Sequence, residues 1–543
     1  MESNWLCRSA KLAMINDIYA DGVAAGWEIH DAAKLTADLN LEADVVIIGS
    51  GAGGGTSAEV LSNAGLRVVI LEEGPLKTSS DFKMREAQAY PDLYQESAAR
   101  KTKDKGIQIL QGRCVGGSTT VNWTSSFRTP DAVLNWWAER NAVSGYDAIS
   151  MQPWFAKMEE RLGIAPWSMP PNANNHLLAI GAAKLDIPTA VIRRNVKGCF
   201  NLGYCGMGCP TNAKQSMLVS TIPAALAKGA VLVSRCRAER FTVTGDRIAA
   251  VEAIAMDEVG VSPSAFKVRV KTRHVVLAAG AIGSPAVLMR SGLPDPHKLA
   301  GKRTFLHPTL VSGAFMPDKV EGWSGAPQSV YSDYFLDNQP LDGPIGFKLE
   351  APPVHPLLTA TTLGGHGKLH ADLMARAANL HVLIALMRDG FHERSHGGSV
   401  HLNSDGTPTL DYPLNDYLWD GARRALLAMA EIQFAAGASE VHPTHEDAMR
   451  YTNWTEAKKG IAELPMRLLR TCVVSAHVMG GCALSDDPKR GVVNSEGRHH
   501  QIENLYVFDG SLFPTSLGVN PQLSIYALIA KLATAFANKL PKK

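Results

Sequence analysis

ADVVIIGSGAGGGTSAEVLSNAGLRVVILEEG, residues 43–74, is the stretch on which the fold reading turns. Asp44–Ile48 is a short β-branched run of the kind that fills a buried parallel strand. Gly49, Gly51 and Gly54 then spell G-x-G-x-x-G, where missing side chains permit a tight turn and let backbone N–H groups approach a pyrophosphate. The spacing predicts a helix over about Gly55–Ala64, its positive dipole end aimed at the phosphates, and a second strand at Val68–Leu71. Glu72 follows, 18 residues past Gly54, placed to accept hydrogen bonds from a ribose diol. Strand, glycine turn, helix, strand and acid in this order predict a dinucleotide-binding α/β unit.

Working outward, 543 residues exceed one compact core, so two domains or one elaborated domain are expected. Hydrophobic residues make up 45% and charged residues 20%, the balance of a folded globular chain. The net charge of +2 gives no electrostatic argument for nucleic acid or an anionic membrane. The best apolar run, Val275–Met289, is broken by two glycines, Ser284 and Pro285, so no transmembrane segment is expected. Arg8, Lys11, Asp17 and Asp21 interrupt the N-terminus, which reads as no signal peptide. The expected compartment is the cytoplasm, with peripheral membrane contact left open.

Residues 1–40 look helical, with Leu12, Ile15, Ile18 and Val23 near helical spacing. Ser324–His370 is long and punctuated by proline and glycine, which suggests a lid or channel wall rather than regular structure. Asp416–Ala436 reads as an amphipathic helix. Among eight cysteines, Cys199, Cys205 and Cys209 stand at spacings of six and four, with Pro210 after the last. Clustered cysteines followed by proline suit iron–sulfur ligation, whereas Gly206 and Gly208 suit a plain tight loop. Both readings stay open, and zinc would lack a fourth ligand.

Three further segments widen the argument: GRCVGGSTTVN at 112–122, GAIGSPAVLMRSGL at 280–293, and the C-terminal region containing HVMGGC (477–482), ENLYVFDGSLFP (503–514) and GVNPQLSIYAL (518–528). With the first motif, they resemble the glucose-methanol-choline (GMC) family of FAD-dependent oxidoreductases. Leu306–Pro308 is similar to that family's histidine–proline turn in reduced form. The resemblance implies an α/β (α+β) architecture. An FAD-binding Rossmann-like domain would be assembled from 41–125, 215–300 and 471–543, after an N-terminal extension over 1–40. A substrate domain with an antiparallel sheet and helices would use 126–214 and 301–470.

The resemblance also selects FAD among dinucleotides and implies site residues. Gly116, Gly117, Ser118 and Asn122 match the loop that wraps the flavin and pyrophosphate, and Asp509 with Gly510 matches the late aspartate–glycine pair. Thr119, Thr120 and Val121 stand where some members carry a histidine bonded to FAD, so noncovalent FAD is expected. His477 matches the catalytic histidine, a base for the hydroxyl proton while the carbinol hydride moves to flavin N5. Asn520 matches its histidine-or-asparagine partner and can hydrogen-bond the substrate oxygen. His499 and His500 read as surface residues; His307, His355, His366 and His370 read as structural or lid residues. The wording is nearest to cholesterol-oxidase-like and long-chain-alcohol-oxidase-like members. The expected substrate is an apolar long-chain, terpenoid or sterol-like alcohol, with oxygen, a quinone or a cytochrome as electron acceptor. Cys199, Cys205 and Cys209 also resemble the segment holding a three-iron cluster in bacterial FAD-dependent glucose dehydrogenase. That leaves a sugar or polyol dehydrogenase, or a flavin-dependent lyase, as rival readings.

Overall fold

In the computed structural model, which describes residues 15–540, the opening motif sits at the centre of an eight-stranded sheet. Its strands are β1 (Glu28–Asp31), β2 (Leu39–Ile48), β3 (Val68–Leu71), β4 (Val231–Ser234), β5 (Cys236–Thr244), β6 (Arg247–Met256) and β7 (Pro263–Leu277), with Leu505–Val507 as the eighth. The order is β1-β4-β3-β2-β7-β6-β5, and Leu505–Val507 joins the C-terminal end of β7. β1, β4, β3, β2 and β7 run parallel; β6 and β5 return antiparallel. The middle is buried on both faces, which is why the end of β2 (Val45–Ile48) and all of β3 read as unbroken apolar runs rather than alternating ones. Helix α1 (Ala52–Asn63) leaves the glycine turn as predicted, three residues earlier than the spacing suggested.

Within the segment expected to be helical, residues 15–40 depart from that expectation. Among these described residues the one α-helix is Ile18–Ala24, capped by the Asp17 carboxylate, whereas β1 and the start of β2 are strands. Leu12 lies outside the described residues. β1 pairs with β4, two hundred residues on, so its strand identity comes from an edge that the local pattern does not show.

A second sheet of eight strands carries the rest. Its central members are β8 (Thr309–Phe315), β9 (Phe347–Glu350) and β10 (Leu380–Met387), all antiparallel. Period-two alternation separates its faces. Leu310, Leu349, Leu383 and Ala385 pack into the core with the long helix Asp416–Ala435. Val311, Val382, Ile384 and Leu386 face a cavity. The segment Ser324–His370 is therefore not the loop it resembles: it contains two strands of this sheet, Val330–Ser332 and β9. Only its later part behaves as a wall, through the helix Pro356–Thr362, whose first free N–H groups at Leu357 and Leu358 are held by the Glu86 carboxylate at 2.7 and 2.9 Å.

Candidate active site

A cavity of about 840 Å³ runs from the glycine turn of β2 to the face of the second sheet. At one end Gly49, Gly51 and Gly53 line it with backbone, and Gly117 of the second glycine loop crosses beside Gly51. Gly117 has φ +53°, and a Cβ there would stand 2.8 Å from the Gly51 Cα, so the crossing admits only glycine. Gly54 closes helix on strand: a Cβ would lie 1.9 Å from the Gly49 carbonyl oxygen. At Gly51 and Gly280, by contrast, the space beyond the Cα is open toward the cavity. A floor of backbone with no side chains, at the N-terminus of α1, fits a pyrophosphate.

The other cofactor residues gather along the same cavity. Glu72, at the end of β3, accepts from Ser50 N–H (3.0 Å), Ser50 Oγ (2.6 Å) and Gly74 N–H (2.9 Å). Burial raises its pKa, and those three donors oppose the rise. A carboxylate has about four acceptor sites, so capacity remains for a ribose hydroxyl. Ser50 Oγ also accepts from Gly116 N–H at 2.9 Å, which ties the two glycine loops together. Ser118 Oγ accepts from Gly112 N–H, and Asn122 donates to Gln522 Oε1 at 2.8 Å. Asp509 accepts from the N–H groups of Ser511 and Gly280 and from Ser284 Oγ, with Gly510 beside it on the wall. It is both a turn cap and a cavity residue.

At the far end stand His477 and Asn520. Loss of hydration draws the His477 pKa down to about 3, with Lys348 adding to the effect, so the imidazole is neutral. Its Nδ1 lies 2.9 Å from Nδ1 of His307, whose Nε2 accepts from Gly518 N–H at 2.9 Å. Asn520 Nδ2 stands 3.5 Å from Glu350 Oε2, long for a hydrogen bond. Glu350 is fully buried and accepts from Gln328 Nε2 at 2.6 Å. Burial raises its pKa to about 7 against the opposing pull of Lys348. Lys348 is also buried, 3.2 Å from Asp333 Oδ1 and over the Phe127 ring. Glu350 Oε1 and Asn520 Oδ1 are buried acceptors with no hydrogen-bond partner among the described residues.

Three of these groups were missed by sequence reasoning. His307 was placed among structural histidines, yet it touches the His477 ring. Lys348 and Glu350 lie in the segment read as a lid. The available signal was the alternation Phe347-Lys348-Leu349-Glu350, two apolar residues inward and two charges on the opposite face. His499 corrects the surface expectation: it is buried, and burial lowers its pKa to about 4; His500 bonds the Ser485 carbonyl.

Among the described residues, no three His, Cys, Asp or Glu groups are placed to hold a metal ion. The thiols have separate partners instead: Cys199 the Asn201 N–H, Cys205 the Arg194 guanidinium and Cys209 the Thr211 hydroxyl. The segment serves as a brace. Buried Lys214, its pKa lowered to about 8 by burial, donates to the Thr120, Asn122 and Cys205 carbonyls and pins the cysteine loop under the second glycine loop.

Two family models described as GMC oxidoreductase match residues 90–309 and 393–528, and an FAD binding domain matches 44–104. A GMC-type oxidoreductase of Mycobacterium tuberculosis is 30% identical over 95% of this chain and 81% of its own. The chain belongs to the GMC oxidoreductase family. This GMC protein is therefore an FAD-dependent alcohol oxidoreductase. It is also similar to a long-chain-alcohol oxidase of Arabidopsis thaliana, 26% identical over 93% of this chain and 70% of that one. The fold matches pyridoxine 4-oxidase from Mesorbium loti, with TM-score 0.68 at 17% identity over 92% of this chain and all of that one. A formate oxidase from Aspergillus oryzae matches with TM-score 0.67 at 14% identity, over 92% and 98%. No described helix of this GMC chain is long and apolar enough to cross a membrane.

Proposed function

We propose that the protein oxidises an apolar alcohol, long-chain in the first instance and terpenoid or sterol-like by extension, to the aldehyde or ketone. The observation that carries this reading is the cavity wall beyond His477 and Asn520. Val311, Val382, Ile384, Leu386 and Val474 from the second sheet meet Leu358 and Leu363 across it, a lining suited to an alkyl chain. The relatives called long-chain-alcohol oxidases support the same class, and oxygen as acceptor. When bound without a covalent link, FAD supplies the two-electron acceptor for the carbinol hydride. Gly51, Gly117 and the N-terminus of α1 would hold its phosphates, with Glu72 on the ribose and Asp509–Gly510 along the wall.

The protein's own groups handle the hydroxyl. Neutral His477 and the Asn520 amide grip the carbinol oxygen, and the apolar wall keeps water away. The group placed to receive the proton is His477, the expectation from sequence, which lines the cavity beside Asn520. Anaerobic mixing of the FAD-loaded protein with 1-alkanols of graded length tests the reading through bleaching of the flavin absorbance. Reduction should quicken with chain length until the cavity is filled. His477→Ala should keep the yellow cofactor and lose most of the reduction. Faster bleaching by glucose or short polyols would overturn the apolar substrate, and turnover without bleaching would point to a lyase.

A further inference from the structure

A second cavity, of about 230 Å³, lies at the far end of the helix Gly280–Arg290. The first turn of that helix lines the cofactor cavity through Gly280 and Ala281, whereas Leu288 and Met289 near its end line this one. Among the described residues the two cavities share no lining residue. The loop 293–300 closes one side and is held in shape by the Asp295 carboxylate. Its Oδ1 and Oδ2 accept from the Leu299 and Ala300 N–H groups, both at 2.9 Å. Val492 and Pro488 close the other side. The walls are largely aliphatic, and the space exceeds the roughly 150 Å³ of an engineered apolar cavity that takes up benzene.

One polar group interrupts these walls. His499 is only 3% exposed, yet it reaches the cavity. Its Nδ1 lies 3.1 Å from the Gln501 backbone nitrogen, and a backbone N–H can only donate, so Nδ1 accepts. Burial, with the neighbouring His500, lowers its pKa to about 4, so the ring is neutral and carries its proton on Nε2. That N–H has no hydrogen-bond partner among the described residues. A buried donor left unpaired is costly, which makes the position one that a ligand can satisfy. Asp295 lies near enough for its charge to act on His499, and its two oxygens keep acceptor capacity beyond their backbone bonds. A donor and an acceptor together on an aliphatic wall match a group that accepts and donates at once, which is a hydroxyl. A carboxylate ligand would bring like charge to Asp295, and an ammonium, which cannot accept, would leave the His499 N–H unpaired.

We propose that this cavity is a second hydroxyl-binding site, for a small alcohol or phenol whose oxygen accepts from His499 Nε2–H and whose O–H donates to Asp295. Its ring or short chain fills the space beside Leu288, Met289 and Val492. The intervening helix, 11 residues or about 16 Å long, keeps the site away from the cofactor cavity, so an occupant is held and not oxidised. The site does not depend on the proposed alcohol oxidation.

Phenol is the probe, because its hydroxyl carbon bears no hydrogen and cannot pass a hydride to the flavin. Labelling of methionine methyls with ¹³C in the FAD-loaded protein, with Met289→Leu assigning the signal, reads this cavity by NMR. Phenol should shift the Met289 methyl saturably. It should also bind more tightly than toluene, its isostere without the hydroxyl, although toluene leaves water more readily. His499→Phe should weaken phenol roughly tenfold and reverse the order of the two ligands. His499→Gln, whose amide can accept from Gln501 and donate into the cavity, should keep the parent order. A Met289 signal unmoved by phenol at about 10 mM, toluene binding as tightly as phenol, or an unchanged phenol affinity in His499→Phe overturns the proposal. If His499→Phe does not fold, the comparison of phenol with toluene in the parent decides it.

Discussion

Replacing Gly51 and Gly54 by alanine in turn separates the two jobs that glycine performs in the opening motif. At Gly51 the added methyl meets only the Gly117 Cα, 3.9 Å away, and the backbone is extended (φ −67°, ψ −160°). A slightly poorer helix cap is offset by lower entropy of the unfolded chain, so the apoprotein should change by no more than about 0.5 kcal/mol. The same methyl projects into the cavity where a pyrophosphate must reach the first N–H groups of α1. Overpacking of this kind costs about 1–3 kcal/mol, a loss of FAD affinity of roughly five- to a hundredfold. At Gly54 the order reverses. The methyl would stand 1.9 Å from the Gly49 carbonyl oxygen, which belongs to backbone and must move by more than an ångström. Alanine favours the helix by about 0.5–1 kcal/mol, too little to offset that clash. Thermal melts of flavin-free protein followed by titration with FAD, read by quenching of flavin fluorescence, distinguish the cases. Gly51→Ala should melt with the parent and bind FAD weakly, whereas Gly54→Ala should melt early. Parent-like FAD binding by Gly51→Ala would refute the placement of the phosphates, and a parent-like melt of Gly54→Ala would refute the close packing.

Glu350→Gln should stabilise the fold at high pH. Burial raises the folded pKa to about 7, above the unfolded value, so parent stability falls as pH rises from about 4.5 to 7 and is flat beyond, by at most about 3 kcal/mol. Melting temperatures at pH 5 and 8 should therefore diverge in favour of glutamine, and a gap that does not widen would count against the raised pKa. His381 works in the opposite sense: fully buried, its pKa lowered to about 3 by burial, it stays neutral in the fold while the unfolded chain protonates near 6.5. Stability is then lost as pH falls from 6.5, about 3 kcal/mol by pH 4. His381→Leu should flatten that decline in melting temperature between pH 6.5 and 4, and an equally steep decline would exclude His381 as its source.

What could be read from the chain, and what could not, follows the range over which each feature is determined. The turn Gly49–Gly54, the strand Val68–Leu71 and the helix beginning at Asp416 are set by neighbours a few residues away, and their spacing shows it. β1 is a strand because β4 lies beside it, and Ser324–His370 holds β9 because β10 offers it an edge; neither partner is visible in a local window. The site is more distributed still. Asn520 meets Glu350 170 positions away, and His477 meets His307 at the same separation. The motif around His477 made that residue conspicuous, but the His307 ring and the Gly518 N–H that stand behind it come from two other segments.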